Sequence, residues 1–229
     1  MRGAIFDLDG TLADTAADLL ASANVALAEA SLPLLSYPDE RSVAGRGGRA
    51  MIRRSISLAG RNPDQEAEVA LTDALYPRLL IAYERAIAEH TNLFEGVVPC
   101  LDRLDADGWR LGICTNKPER LARILMTELG VLHRFGALLG ADTLAVRKPD
   151  PQHFLETCRR IGADPRRSVM IGDTKTDLLT ARAVGSPCVL TSFGFAAEPL
   201  ESLAPDAVVA HFDELPAVLE ELMPLAAAE

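Results

Sequence analysis

The sequence predicts an α/β protein, a doubly wound parallel sheet with an all-α unit inserted after its first strand. Three observations carry this. Short, near-continuously apolar segments run into polar clusters, as strands buried on both faces do: Gly3–Leu8 into Asp9-Gly10-Thr11, Trp109–Cys114 into Thr115-Asn116-Lys117, and Ser168–Ile171 into Gly172-Asp173-Thr174. Helical patterns closed by glycine alternate with such segments, which is the βαβα rhythm of a doubly wound fold. The stretch from Thr15 to about His90 breaks the rhythm, being Ala- and Leu-rich with apolar residues at helical spacing and no convincing strand.

Taken in order, Gly3–Leu8 is the first strand, and the helical insertion follows as residues 15–91. The chain re-enters the sheet unit near Leu93–Val98, so that unit comprises residues 1–14 and 92–229. Trp109–Cys114 is the next strand, with Trp109 filling core at its start. The helix Glu119–Leu129 is closed by Gly130, and Ala137–Gly140 reads as a strand. Pro151–Ile161 has proline at its start and Gly162 just past its end, the expected asymmetry of a helix. After the strand Ser168–Ile171 come a helix at Asp177–Val184 closed by Gly185, then strands at Cys188–Thr191 and Ala207–Ala210.

Composition excludes several function classes. The 229 residues are 48% hydrophobic and 24% charged, a globular profile, and the net charge is −10. A general nucleic-acid binder carries a basic surface, so no nucleic-acid partner is expected. No apolar run approaches the roughly 20 residues of a membrane span, so no membrane association is expected. Asp7 and Asp9 interrupt any signal-like stretch, which makes a cytoplasmic location the expectation. Cys100, Cys114, Cys158 and Cys188 are scattered without zinc-ligand spacing and read as reduced, buried, small hydrophobes.

The chemistry lies where the strands end. Asp7 and Asp9, Thr115 and Asn116, and Asp173 and Asp177 converge on the carboxyl edge of a parallel sheet, where open α/β folds bind ligands. Lys148 arrives on the loop Arg147–Pro151. Four carboxylates cannot share a small site while ionised unless a cation is present. All-oxygen ligation fits Mg²⁺, and a hydroxyl, an amide and an ammonium complete a grip on phosphate. Alternative readings are structural: Thr115-Asn116 or Asp177 as helix caps, Asp14 near a hinge, and Lys175 and Arg53-Arg54 in solvent. His90, His133, His153 and His211 show no ligand spacing and read as surface or packing residues.

These residues resemble the motifs of haloacid-dehalogenase-type phosphohydrolases. Asp7-Leu8-Asp9-Gly10-Thr11-Leu12-Ala13-Asp14 resembles the first motif, Thr115 the second, Lys148-Pro149 the third and Gly172-Asp173-Thr174-Lys175-Thr176-Asp177 the fourth, in order and over essentially the whole chain. The resemblance implies a Rossmann-like core with an inserted helical cap. It implies Asp7 as nucleophile forming an aspartyl-phosphate, and Asp9 as general acid and then base. Thr115 and the Asn116 backbone N–H would hold the phosphoryl oxygens while Lys148 neutralises charge. Asp7, the main-chain carbonyl of Asp9 and Asp173 would hold Mg²⁺, with Asp177 orienting Lys148 or a metal-bound water.

A carboxylate at Asp9 points to phosphate-ester or pyrophosphate chemistry. Val43–Met51 resembles the cap stretch of phosphoglycolate phosphatases, where a glycine turn precedes an amphipathic helix, here Ala50–Leu58, and Arg46 would grip a substrate carboxylate. Ser192-Phe193-Gly194-Phe195 resembles the aromatic-Gly-aromatic stretch of that subfamily. The expectation is therefore a Mg²⁺-dependent phosphatase for a small phosphorylated metabolite, preferentially 2-phosphoglycolate. Sugar phosphates, nucleotides and pyrophosphate are the alternatives. A phosphoglucomutase-type isomerase is disfavoured by Gly172, where mutases carry an acidic residue. Monomer and homodimer are both compatible with the sequence.

Overall fold

The computed structural model describes residues 1–60 and 64–225. The chain divides into two units, Met1–Asp14 with Leu93–Glu229, and Thr15–Asn92. In chain order the elements are β1 (Gly3–Phe6), β2 (Ala13–Asp14), α1 (Ala16–Glu29), α2 (Arg41–Ala44), α3 (Gly48–Leu58), α4 (Gln65–Arg85), β3 (Asn92–Leu93), α5 (Val97–Ala106), β4 (Arg110–Cys114), α6 (Glu119–Glu128) and β5 (Ala137–Leu139). They continue with α7 (Pro151–Ile161), β6 (Ser168–Gly172), α8 (Lys175–Val184), β7 (Cys188–Thr191), α9 (Leu200–Leu203), β8 (Ala207–Val209) and α10 (Leu215–Leu222).

The first unit is built on a six-stranded sheet of order β5-β4-β1-β6-β7-β8. All of its pairings are parallel. From β1 the chain builds outward through β4 to β5, then crosses back to β6 on the other side. That reversal flanks β1 with β4 and β6 and makes its carboxyl end a topological switch point, the usual ligand crevice of open α/β sheets. Register is fixed by Phe6 opposite Ile113 on one side and Ile171 on the other.

Burial on both faces explains why these strands lack polar alternation. Ile5, Cys114, Met170, Cys188 and Leu190 form a cluster with Phe154 and Cys158 of α7 and Leu178 and Ala181 of α8. The alternate residues Ala4, Phe6, Ile113, Val169 and Ile171 are equally buried. All four cysteines are buried and free. Burial pushes the Cys114 thiol up to about 12, so it is an inert packing group at ordinary pH. Trp109 stands one residue ahead of β4, buried, with the Arg2 guanidinium 4.4 Å from its ring centroid.

Of the element boundaries that differ from the sequence expectation, two bear on the site. β1 stops at Phe6 rather than running to Leu8. The Leu8 carbonyl accepts from the N–H groups of Thr11, Leu12 and Ala13, which curls the chain out of the sheet. The helix expected at Asp177 begins two residues earlier, at Lys175, because Thr174 supplies an N-terminal capping box with Asp177 as its acidic member. Asp177 is thus inside the first turn of α8, not ahead of it.

The second unit is helical. Leu20, Ala23 and Leu27 of α1, Met51, Ile52 and Ile56 of α3, and Leu75, Leu79 and Tyr83 of α4 are its buried apolar positions. They recur at the three- and four-residue spacing that puts side chains on one helix face. Asp18, in the first turn of α1, is also buried. Its carboxylate accepts from the backbone N–H groups of His90 and Thr91 at 3.0 and 2.9 Å and from the Thr91 hydroxyl at 2.7 Å. No described helix in either unit is long and apolar enough to cross a membrane.

Candidate active site

The carboxyl ends of β1, β4 and β6 present the site, which lies wholly within the α/β unit. Asp7 follows β1 directly, and its N–H still donates to the Ile171 carbonyl at 2.8 Å, fixing its place against β6. One Asp7 carboxylate oxygen accepts from the Leu8 N–H at 2.7 Å; the other lies 3.0 Å from Lys148 Nζ. Both oxygens are therefore held before any ligand arrives.

Lys148 is buried and bridges two carboxylates, with its ammonium also 2.6 Å from Asp177 Oδ1. Burial alone disfavours its charge, but Asp177 and Asp7 outweigh that and hold it firmly protonated. The other Asp177 oxygen accepts from the Thr174 hydroxyl at 2.8 Å and the Thr174 N–H at 3.1 Å. Asp177 thus serves both readings at once, capping α8 and orienting Lys148.

Asp173 follows β6 directly and is fully buried. Its Oδ2 accepts from the Phe195 N–H at 2.7 Å and its Oδ1 from the Thr11 hydroxyl at 3.2 Å. The loop carrying Phe195 is pressed against it: a Cβ added at Gly194 would stand 2.2 Å from the Asp173 Cβ. Glycine is required there by contact, not by backbone angle. Oxygen atoms of Asp7, Asp173 and Asp177 lie within 4.8 Å of one another.

Crowding shows in the ionisation of these groups. Burial pushes the Asp7 carboxyl up to about 6, with Asp177 and Asp9 adding repulsion and Lys148 opposing them. Asp173 is raised well above the usual carboxylate range, mainly by burial and then by Asp177 and Asp7. Lys148 and Lys117 leave two of the four carboxylate charges uncompensated. An all-oxygen donor set with that deficit fits one hard divalent cation such as Mg²⁺.

Since β1 ends at Phe6, Asp9 lies on the loop, and its Oδ1 accepts from Lys117 Nζ at 2.8 Å. Thr115 is buried just past β4, and its hydroxyl accepts from the Lys117 N–H at 3.2 Å. It does not cap α6, whose first N–H at Glu119 is met instead by Asp142 at 2.7 Å. The Asn116 side chain donates to the Lys148 carbonyl at 3.0 Å and ties the two loops together. Arg46 belongs to the helical unit, exposed between α2 and α3.

Three participants escape a motif-by-motif reading. Lys117 looks like an ordinary loop lysine until its partner is seen. Thr11 and the Phe195 N–H, which steady Asp173, are distant from it in sequence; only the aromatic-Gly-aromatic stretch signals the latter. His153, expected as a surface or packing residue, is a packing residue: it is fully buried, its Nε2 3.0 Å from the Gly140 carbonyl and its Nδ1 3.3 Å from Cys114 Sγ. Burial lowers its pKa, so the neutral ring donates from Nε2 to the Gly140 carbonyl and accepts a hydrogen bond from the Cys114 thiol at Nδ1, a packing role.

Comparison with known proteins places this geometry. Residues 4–191 match the family model described as haloacid dehalogenase-like hydrolase. The phosphoglycolate phosphatase of Agrobacterium fabrum is 40% identical over 98% of this chain and 95% of its own length. That of Mesorhizobium japonicum is 41% identical over 95% of this chain and 94% of its own. Among solved structures, a predicted phosphoglycolate phosphatase from Haemophilus somnus superposes with a TM-score of 0.84 at 26% identity, covering 95% of this chain and 97% of that one. With the motif carboxylates and Lys148 gathered at one switch point, and with these relatives spanning both units, the chain belongs to the haloacid dehalogenase-like hydrolase family.

Proposed function

We propose that this chain is a Mg²⁺-dependent phosphatase that hydrolyses a small phosphate monoester through an aspartyl-phosphate, with 2-phosphoglycolate as preferred substrate. The observation that carries the chemistry is the pre-organised Asp7 carboxylate, held by the Leu8 N–H and Lys148 at the switch point. The substrate assignment rests on the two relatives at 40 and 41% identity that bear that name and span nearly the whole chain.

In this reading an Asp7 oxygen attacks phosphorus as the bond to the leaving oxygen breaks. Asp9 delivers a proton to that oxygen, so glycolate departs as a neutral alcohol group. Asp9 then takes a proton from water as the water oxygen attacks phosphorus, and the Asp7 carboxylate leaves, restored. Thr115 and the Asn116 N–H bind the equatorial phosphoryl oxygens, and Lys148 offsets their charge. Asp7, the Asp9 carbonyl and Asp173 hold Mg²⁺, which when bound supplies positive charge to the phosphoryl group. Asp177 keeps Lys148 charged and in place. The helical unit corresponds to the cap that the family resemblance implies, and Arg46 is its candidate for the substrate carboxylate.

The deciding experiment is phosphate release with and without Mg²⁺ across 2-phosphoglycolate, sugar phosphates, nucleotides and pyrophosphate, ranked by kcat/KM. A metal-dependent preference for 2-phosphoglycolate by orders of magnitude is expected. Broad, weak hydrolysis would leave the chemistry standing and remove the substrate; metal-independent release would overturn the Mg²⁺ assignment.

A further inference from the structure

The loop that carries Thr115 and Asn116 is tied to a neighbouring turn. Pro118 stands ahead of α6 and has no side-chain acceptor to cap the helix, while the Thr115 hydroxyl is engaged by the Lys117 N–H. The cap comes instead from Asp142, whose carboxylate accepts from the Glu119 N–H at 2.7 Å across 23 residues of chain. Two further hydrogen bonds join the same segments. The Ala141 N–H donates to the Lys117 carbonyl at 2.9 Å, and the Thr143 hydroxyl donates to the Glu119 carboxylate. Close contact adds to them: a Cβ at Gly140 would collide with the backbone N and Cα of Glu119.

The turn at 140–143 is itself fixed. It follows β5, which pairs in parallel with β4, and the Thr115 N–H continues that ladder to the Leu139 carbonyl at 3.0 Å. Within the turn the Gly140 N–H donates to the Thr143 hydroxyl at 2.8 Å, and the Thr143 N–H to the Gly140 carbonyl at 3.1 Å. His153 of α7 donates to the same carbonyl at 3.0 Å. A helix start is ordinarily capped by the residue just before it. A cap drawn from the neighbouring strand end, and reinforced by two more bonds, fixes where residues 117–119 lie. The peptide planes of Thr115 and Asn116, immediately upstream, are fixed with them. Phosphoryl transfer depends on such placement, because the donors must already point where charge develops.

We propose that Asp142 and Thr143 are positioning residues for the phosphate-binding loop. Acting through the backbone of Lys117 and Glu119, they set the direction of the Thr115 hydroxyl and the Asn116 N–H. This inference rests on the reading of Thr115 and Asn116 as phosphate ligands.

The test is calorimetry with two probes, inorganic phosphate at saturating Mg²⁺ and Mg²⁺ alone. The proteins are wild type, Asp142→Asn, Asp142→Ala, Thr143→Ser, Thr143→Val and Thr115→Val. Asparagine keeps an oxygen for the Glu119 N–H and alanine keeps none, yet both remove the charge. Their ratio therefore isolates the contact from the effect of one carboxylate fewer near an anion. Kd is read apart from stoichiometry, so a misfolded fraction lowers the second and not the first. The carboxylates proposed to hold Mg²⁺ follow β1 and β6, which makes its Kd an internal control.

Asp142→Ala is expected to bind inorganic phosphate about tenfold more weakly than Asp142→Asn, and Thr143→Val about threefold more weakly than Thr143→Ser. Mg²⁺ affinity should stay within about twofold throughout the Asp142 and Thr143 variants, since none of its proposed ligands is touched. A cap that served stability alone would lower Tm and leave both phosphate ratios near one. That result, with Thr115→Val still weakened, overturns the positioning role. Equal weakening of phosphate and Mg²⁺ in Asp142→Ala overturns it as well, as a general disturbance of the strand ends. Unchanged phosphate binding in Thr115→Val removes Thr115 from the phosphate site, and the proposal with it.

Discussion

The strand-end cluster of the α/β unit and the ion pairs of the helical unit treat charge in opposite ways. In the α/β unit Lys117, Lys148, Asp173 and Asp177 are all buried, and they interlock with Asp7 and Asp9 at the strand ends. In the helical unit the ion pairs lie at the surface. Arg49 meets Asp73, Arg53 meets Glu68 and Arg78 meets Glu29, with every one of those arginines at least 44% exposed. Buried charges are costly and surface pairs contribute little. The first set therefore exists for chemistry, and the second for solubility. Asp18 is the exception, a buried carboxylate in the helical unit that backbone N–H groups and a hydroxyl satisfy without any cation.

The largest expected effect comes from breaking the interlock. Lys148→Met leaves Asp7 and Asp177 facing each other without their shared cation. Loss of a charge-stabilising donor in phosphoryl transfer lowers kcat by roughly 10³-fold, measured by steady-state phosphate release. The orphaned carboxylates should also lower unfolding free energy by about 3 kcal/mol, read from urea denaturation without metal. A variant within tenfold of wild type would show that Lys148 is not part of the phosphoryl site.

Gly172→Ala tests the same interlock by contact alone. A Cβ at 172 would stand 2.3 Å from Asp177 Cγ, so Asp177 must move and take its hold on Lys148 with it. A drop in kcat of about 10²-fold is expected, on the view that small misplacements near the reacting atoms cost that much.

Asp18→Ala moves the question to the other unit. It removes the acceptor for the His90 and Thr91 donors, which are left with poorer partners or none. Lost charged hydrogen bonds and orphaned donors together should cost about 3 kcal/mol of stability, seen as a lower Tm. kcat on p-nitrophenyl phosphate, at a temperature where the variant is folded, should stay within about twofold, because the Asp18 carboxylate is engaged by His90 and Thr91 of its own unit. A large kcat loss in fully folded Asp18→Ala would mean the two units differ less than their charge distributions suggest.

The proposed binding of Mg²⁺ should depend on pH. Burial raises the Asp7 carboxyl from its ordinary value to about 6 and lifts Asp173 in the same direction. For a raised acid the metal-free fold favours the protonated form, whose stabilisation is lost as pH rises through the raised value. Mg²⁺ needs the ionised form and competes with those protons. Its affinity should therefore fall by about tenfold per pH unit below about 6, and more steeply if Asp173 also protonates. Calorimetry in two buffers of different ionisation heat measures the released protons directly. A flat profile from pH 5 to 7 would show that Asp7 is not a ligand.

The same contrast decides what the sequence reveals. Strand-end chemistry is legible because each motif is local: Asp7, Asp173 and Lys148 each sit a residue or two from a recognisable strand end or proline. The pairings Lys117–Asp9 and Phe195–Asp173 join residues far apart in the chain, and only the sheet order brings them together. Where β1 ends was not legible either. Apolar Leu8 continues the strand pattern, but its carbonyl is recruited by three N–H groups of the following loop. In the helical unit, periodicity announces helices, yet nothing local marks Asp18 as buried, since its donors lie more than seventy residues away.

The smallest effect belongs to the surface of the helical unit, and it is the one that sharpens the contrast most. Arg49 pairs with Asp73 while its guanidinium also lies 4.6 Å from the Tyr76 ring centroid. Both charged side chains are largely in water, so screening and side-chain entropy consume most of their attraction. A double-mutant cycle of Arg49→Ala and Asp73→Ala should give a coupling energy below about 0.5 kcal/mol. Arg49→Ala alone should cost slightly more, because it also loses contact with Tyr76. A coupling above about 2 kcal/mol would place this pair with the buried ones, and charge in the helical unit would then need a reason beyond solubility.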